Sequence, residues 1–178
     1  MRHIVITFML ICTAATVTAQ QSSIQFGILT YSESIERAAE SQRPVLLYIG
    51  HEECGSCLTI QHKIFTDRAI AMMVNDNFVP ISVDPHSSFG REICGMFDVE
   101  THPAFVVLDS DQNVRHKFVG VFSKDDFVQQ LKIGLNDEDG LEEYKRRYAA
   151  GERDKVFLLN YISRMRDAGE LTSDMVRE

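Results

Sequence analysis

Cys54 and Cys57 stand two residues apart in "HEECGSCLTI", residues 51–60, directly after the apolar run "PVLLYIG". A C-x-x-C pair has three kinds of use. It can cycle between dithiol and disulfide, supply half of a tetrahedral metal site, or close as an inert staple. Its flanks are acidic on one side, with Glu52 and Glu53, and small in the middle, with Gly55 and Ser56. His51 and the distant His102 could join the two thiols in a zinc or copper site, since thiolate and imidazole suit both metals. No second C-x-x-C accompanies the first.

Of the 4 cysteines, Cys12 lies in the apolar N-terminal stretch, which leaves Cys54, Cys57 and Cys94. An odd number argues against a fully paired disulfide scaffold. Cys94, in "REICGMF" beside Phe97, is expected to be a small buried core residue rather than a third redox thiol. His62 and His116 are read as exposed polar positions, and Met72 and Met73 as core residues.

The elements around the pair carry clear local signals. Thr30 and Glu33 have the spacing of a capping box and open a helix from about Tyr31 to Ser41, bounded by Pro44. "VLLYIG", residues 45–50, has the length and unbroken apolarity of a strand buried on both faces. The cysteine pair then opens a helix to about Ile64, and Asp67 starts a second piece to Val74. "FVPISVD", residues 78–84, reads as a strand that Pro80 confines to an edge. A short helix over 89–97 precedes "AFVVLD" (104–109), the turn "SDQN", and its hairpin partner "VRHKFVG" (114–120). Ser123 caps a helix that carries Phe127, Leu131 and Leu135 on one face. "SIQF", residues 23–26, could add a short strand.

Beyond the polar linker 136–140, Leu141, Tyr144 and Tyr148 form one helical stripe. Val156, Leu158, Leu159, Ile162 and Met165 form another, with Gly151 between them. This helical hairpin, residues 141–178, cannot bury its faces alone. It is expected either to dock on the preceding domain or to bind a partner.

The first 19 residues read as a cleavable secretory leader. Arg2 and His3 form its charged start, Ile4 to Cys12 its apolar run, and Val17-Thr18-Ala19 its cleavage site. That run is too short for a bilayer anchor. The mature chain is therefore expected to begin near Gln20 and to work in the periplasm or outside the cell. A net charge of −8 without a basic cluster makes nucleic acid a poor partner.

With these pieces in order, residues 24–135 resemble a thioredoxin-fold domain. The resemblance rests on "VLLYIGHEECGSC", on "FVPISVD", and on "FDVETHPAFVVLD", whose Thr101-His102-Pro103 matches the family's cis-proline loop. "CGSCLTIQHKIFTD" followed by "NFVPISVD" is similar to secreted bacterial thioredoxin-like proteins and to the thioredoxin-like domain of transmembrane disulfide reductases. The resemblance implies an α/β fold, a mixed central sheet with helices on both faces over residues 20–135, with the helical hairpin added. It implies that Cys54 attacks protein disulfides, Cys57 resolves the mixed disulfide, and the backbone beside a cis Pro103 pairs with the substrate. It also implies a thiol–disulfide oxidoreductase, more a reductase than an oxidase, that needs no cofactor and is served by a membrane electron donor. A binding module, or a zinc- or copper-handling protein using the same loop without redox turnover, is the alternative. The chain departs from thioredoxin itself. Tyr48 replaces the family's buried aspartate, Pro80 its companion lysine, Glu53 the tryptophan before the first cysteine, and Ser56 the usual proline before the second. Glu52 and Glu53 are expected to raise the Cys54 thiol pKa and to favour basic partner surfaces.

Overall fold

Thr30 does begin the first helix. Its hydroxyl accepts from the Glu33 N–H at 3.3 Å, and the Glu33 carboxylate accepts from the Thr30 N–H at 2.7 Å. The resulting α1, Tyr31–Ser41, ends at a left-handed Gln42, and the chain enters β1, Val45–Ile49, whose residues are all buried. There follow α2, Gly55–Ile60, with a π-helical turn, Gln61–Phe65; α3, Arg68–Asn77; β2, Val79–Val83; and α4, Ser88–Met96. The chain continues through β3, Ala104–Leu108; β4, Val114–Val119; α5, Lys124–Leu135; α6, Leu141–Ala149; and α7, Lys155–Asp167. The computed structural model describes residues 23–27, 29–136 and 138–172. The expected leader and its cleavage site lie outside these residues, and among them no helix is long and apolar enough to cross a membrane.

The strands form one mixed sheet in the order β2-β1-β3-β4. β1 runs parallel to β2 and antiparallel to β3, and β3 runs antiparallel to β4. Side chains alternate across it. Leu46, Tyr48, Phe105, Val107 and Phe118 meet Ile60, Ile64, Ile70, Val74, Phe127 and Leu131 of α2, the π-helical turn, α3 and α5. On the other face Val45, Leu47, Ile49, Val106 and Leu108 meet Ala38 of α1 and Ile93 of α4. Helices thus cover both faces, as expected. Pro80 lies on the edge strand, where its missing N–H breaks no interior ladder.

Several readings of the sequence need correction. Residues 23–27 form no strand. The Ile24 N–H goes to the Phe65 carbonyl and the Gln25 N–H to the Asn75 side chain, and only the Gly27 N–H reaches the sheet, at the Pro80 carbonyl of β2, so the segment forms no ladder. The helix after the cysteines does not stay α-helical to Ile64; it widens into the π-helical turn. Met72 is 44% exposed, and Met73 packs only partly against the core. His116 is 0% exposed, because helices cover the sheet on its side.

Those helices include the C-terminal hairpin, which docks on β4. Its own core is Leu141, Tyr144, Phe157, Tyr161, Met165 and Ala168. Tyr144 stacks on Phe157 at 5.3 Å and Tyr148 packs on Tyr161 at 5.0 Å. The buried stripe of α7 is therefore Phe157, Tyr161 and Met165; Val156, Leu159 and Ile162, expected inside, face outward. The aromatic side chains bury more area per position, and their contacts decide which face turns in. Close approach is possible at Gly140, where an added Cβ would collide with the Arg115 carbonyl.

Two buried polar side chains of β4, His116 and Lys117, find partners around this docking. His116 Nε2 donates to Gln130 Oε1 at 2.6 Å, and Gln130 Nε2 donates to Asp167 Oδ2 of α7 at 2.8 Å. The second bond orients the amide and so fixes the Nε2–H tautomer. Nδ1 of His116 has no hydrogen-bond partner, and burial above all pushes the imidazole pKa down to about 4. Lys117 donates to the Phe97 and Asp98 carbonyls and pairs with Glu170 at 2.6 Å, while Lys145 holds the other Glu170 oxygen at 2.7 Å. Burial opposes ionisation of Glu170, but the bonds from Lys117 and Lys145 outweigh it and hold its pKa below the ordinary carboxylate range.

Both groups make docking weaken in acid. The folded pKa of His116 lies below its ordinary 6.5, so the unfolded chain takes up a proton first as pH falls. Stability from this group is complete above pH ~6.5 and is lost towards pH ~4, in total by about 3 kcal/mol. Urea unfolding across that window is expected to show the slope, and His116→Gln to flatten it. Glu170→Gln is expected to cost ~2 kcal/mol at pH 7, because Lys117 stays buried without its counter-charge; an unchanged urea midpoint would contradict the role given to this pair.

Candidate functional site

β1 and β3 deliver the two halves of the site to one end of the sheet. Ile49, the last residue of β1, is paired with Ala104, the first residue of β3. The cysteine turn follows the former and His102-Pro103 precedes the latter, so they meet. Cys54 is the N-cap of α2, and Cys54 and Cys57 are joined in a disulfide with their Cα atoms 5.1 Å apart. Cys57 is fully buried, whereas Cys54 is partly exposed. The Cys57 N–H points at Cys54 Sγ from 3.1 Å. A thiolate on Cys54 would keep that donor and gain the positive end of the helix. The arrangement fits an accessible attacking sulfur and a sheltered resolving one.

The His102–Pro103 peptide bond is cis. The His102 carbonyl oxygen lies 3.9 Å from Cys54 Sγ and accepts from Ser56 Oγ at 3.2 Å. The Pro103 carbonyl in turn accepts from the Gly120 N–H at 2.8 Å. Gly120 adopts φ +97°, a conformation that glycine takes without steric cost. Thr101 is exposed at the outer end of this loop, and Glu52 and Glu53 are exposed on the turn before Cys54. The two carboxylates border an open cleft of about 740 Å³, lined also by Tyr48, His51, Gln61, Ser82, Asp84 and His86.

Tyr48 stands where the resemblance to thioredoxin implies a buried carboxylate. Its ring packs among Phe26, Phe65 and Phe105, and its hydroxyl accepts from Gln61 Nε2 at 3.2 Å. Burial raises its pKa, so the hydroxyl stays neutral at physiological pH. The chain has filled this position with an aromatic core contact instead of an internal base.

The sequence reading brought His51 and His102 towards the cysteines but missed His86, which completes a row of imidazoles. The rings of His51 and His86 lie 4.4 Å apart and those of His51 and His102 6.2 Å apart, and His102 Nε2 is 3.9 Å from Cys94 Sγ. Burial, then the nearby His51 and His86, hold the His102 pKa below its ordinary value. Cys94 is half-buried against the sheet, with its thiol pKa raised by burial. The signal for this row lay in strand pairing. Ile49 and Val83 end adjacent parallel strands in register, so residues shortly beyond each, His51 and His86, become neighbours. Among the described residues no group of three or more His, Cys, Asp or Glu side chains is arranged to hold a metal ion. His62 is exposed, as expected.

A family model described as "Thioredox_DsbH: Protein of unknown function, DUF255" matches residues 19–89. The "Uncharacterized protein B0495.5" of Caenorhabditis elegans is 35% identical over 52 residues, which is 29% of this chain but only 7% of that protein. The solution structure of a putative disulphide-isomerase from Bacteroides thetaiotaomicron superposes with a TM-score of 0.59 at 24% identity, over 66% of this chain and 98% of that one. A DsbH oxidoreductase superposes with a TM-score of 0.56 at 17% identity, over 70% and 92% of the two chains. At these identities the structural likeness establishes the fold. Within that fold, a disulfide-forming pair at the start of α2 is consistent with thiol–disulfide redox chemistry. The chain thus has the fold of these thiol–disulfide proteins, with a disulfide at the start of α2, and is similar over residues 19–89 to the family described as Thioredox_DsbH.

Proposed function

We propose that this protein reduces protein disulfides outside the cytoplasm. The observation that carries the reading is the Cys54–Cys57 disulfide, with the exposed sulfur beside the His102 carbonyl and the other sulfur buried. In the reduced protein the Cys54 thiolate attacks one sulfur of a substrate disulfide. A Cys54–substrate bond forms, the substrate S–S bond breaks, and the first substrate thiolate leaves. The Cys57 thiolate then attacks Cys54 Sγ, closes the internal disulfide and expels the second substrate thiolate. Two electrons pass from the dithiol to the substrate, and the protons end on the substrate thiols. The Cys57 N–H supports the negative charge on Cys54 in the reduced protein.

A dithiol donor held at the membrane would restore the reduced state, in keeping with the leader read in residues 1–19. The likeness to a putative disulphide-isomerase and to a DsbH oxidoreductase supports the same class of partner, a protein that carries a disulfide. Thr101 and His102 supply the backbone edge for its chain. Glu52 and Glu53, exposed on the turn before Cys54, favour partners with basic surfaces around the disulfide.

Three variants test this. Wild-type protein is expected to accelerate insulin reduction by dithiothreitol, and Cys54→Ser and Cys57→Ser to lose essentially all of that activity. Only Cys57→Ser should trap a mixed disulfide with a substrate protein; trapping by neither variant would sink the reading. Replacing both Glu52 and Glu53 with Gln is expected to raise KM for a lysine-rich disulfide peptide about twofold to fivefold, with an acidic peptide unaffected or improved. Equal KM changes for both peptides would remove the two carboxylates from partner choice.

A further inference from the structure

Ser56 has one hydroxyl proton and two acceptors within its reach. Its Oγ lies 3.2 Å from the His102 carbonyl oxygen and 3.1 Å from Cys54 Sγ. With Cys54 and Cys57 bonded to each other, neither sulfur carries a proton, so Ser56 is the donor of this trio. A neutral disulfide sulfur is a weak acceptor and an amide carbonyl a strong one. In the oxidised protein the proton therefore lies on the line to His102 O. Reduction reverses the ranking. A thiolate on Cys54 is a charged acceptor, and hydrogen bonds to charged groups are roughly twice as strong as neutral ones. Turning the O–H about its own bond is enough to change partners, because both acceptors are already at hydrogen-bonding distance.

We propose that Ser56 is a redox-coupled latch on the His102 carbonyl, closed on that oxygen in the disulfide form and turned to Cys54 in the reduced form. The inference rests on the disulfide-reductase reading and gives the same site a means of telling substrate from product. His102 O is 3.9 Å from Cys54 Sγ, so any chain joined to Cys54 lies beside that oxygen. While the protein is reduced, the carbonyl is free to accept an N–H from the incoming substrate. Once the internal disulfide closes, the Ser56 proton returns to the carbonyl and competes with the bound product. No covalent bond changes in the latch itself; the proton stays on Oγ throughout. Gly55 places no side chain over the pair, and the partly buried Ser56 is held by the helix start.

Ser56→Ala removes the proton and Ser56→Thr retains it. In the fully reduced protein, ultraviolet thiolate absorbance against pH is expected to put the Cys54 pKa of Ser56→Ala about one unit above that of wild type. Ser56→Thr should lie near wild type. In the oxidised protein, Ser56→Ala is expected to bind the dithiol form of a substrate peptide about threefold to tenfold more tightly, because the carbonyl is left open. An unchanged Cys54 pKa in Ser56→Ala overturns the latch, whether or not the protein turns over disulfides. Equal product affinity of oxidised wild type and Ser56→Ala overturns it as well. A raised pKa together with tighter peptide binding, in a protein without insulin reductase activity, upholds the latch and removes the reductase reading instead.

Discussion

Ile49 pairs with Ala104 across β1 and β3, and the position of the cysteines relative to the cis-proline depends on that pairing. The cysteine turn leaves one strand at this point and the His102-Pro103 loop enters the other. Strand registers resist slipping when both faces of a sheet are buried, because a one-residue shift would turn every apolar side chain to the wrong face. Here all five residues of β1 and all five of β3 are buried, so the core itself fixes the distance between sulfur and carbonyl. The same pairing logic at Val83 brings His86 to His51. The site is a by-product of how tightly the central strands are held.

The C-terminal hairpin extends this rigidity to the outer strand. β4 carries a histidine and a lysine where an ordinary buried strand would carry apolar residues, and both are buried. Each would be costly alone. Gln130 with Asp167, and Glu170 with Lys145, supply their partners, two of these groups coming from α7 and the segment just after it. Lys117 also holds the carbonyls of Phe97 and Asp98, at the start of the loop that ends in Pro103. Hairpin, outer strand and cis-proline loop are therefore joined through one ammonium group.

What the sequence made legible follows from the range of each interaction. Helix caps are local, so Thr30 and Glu33 gave α1 to the residue. The cysteine pair, the His-Pro dipeptide and the edge position of Pro80 were equally readable, since each follows from chemistry within a few residues. His116 was misplaced as exposed because its burial depends on α5 and α7, elements far along the chain. The inward face of α7 was misread because aliphatic spacing suggested Val156, Leu159 and Ile162, whereas aromatic stacking on α6 turns Phe157 and Tyr161 inward. Ser56 was read as a small residue in place of thioredoxin's usual proline, with no hydrogen-bond partner. Its role needs the His102 carbonyl beside it, a contact spanning 46 residues.

The central claim is that Cys54 and Cys57 form a working dithiol–disulfide couple rather than a fixed staple. Equilibrating the protein in a series of glutathione or dithiothreitol buffers, then trapping free thiols by alkylation, measures this directly. The account predicts reversible two-electron exchange of this one pair, with Cys94 unpaired throughout and a potential more reducing than about −200 mV. A Cys54–Cys57 bond that stays closed even in excess dithiothreitol, with the fold intact, would contradict it.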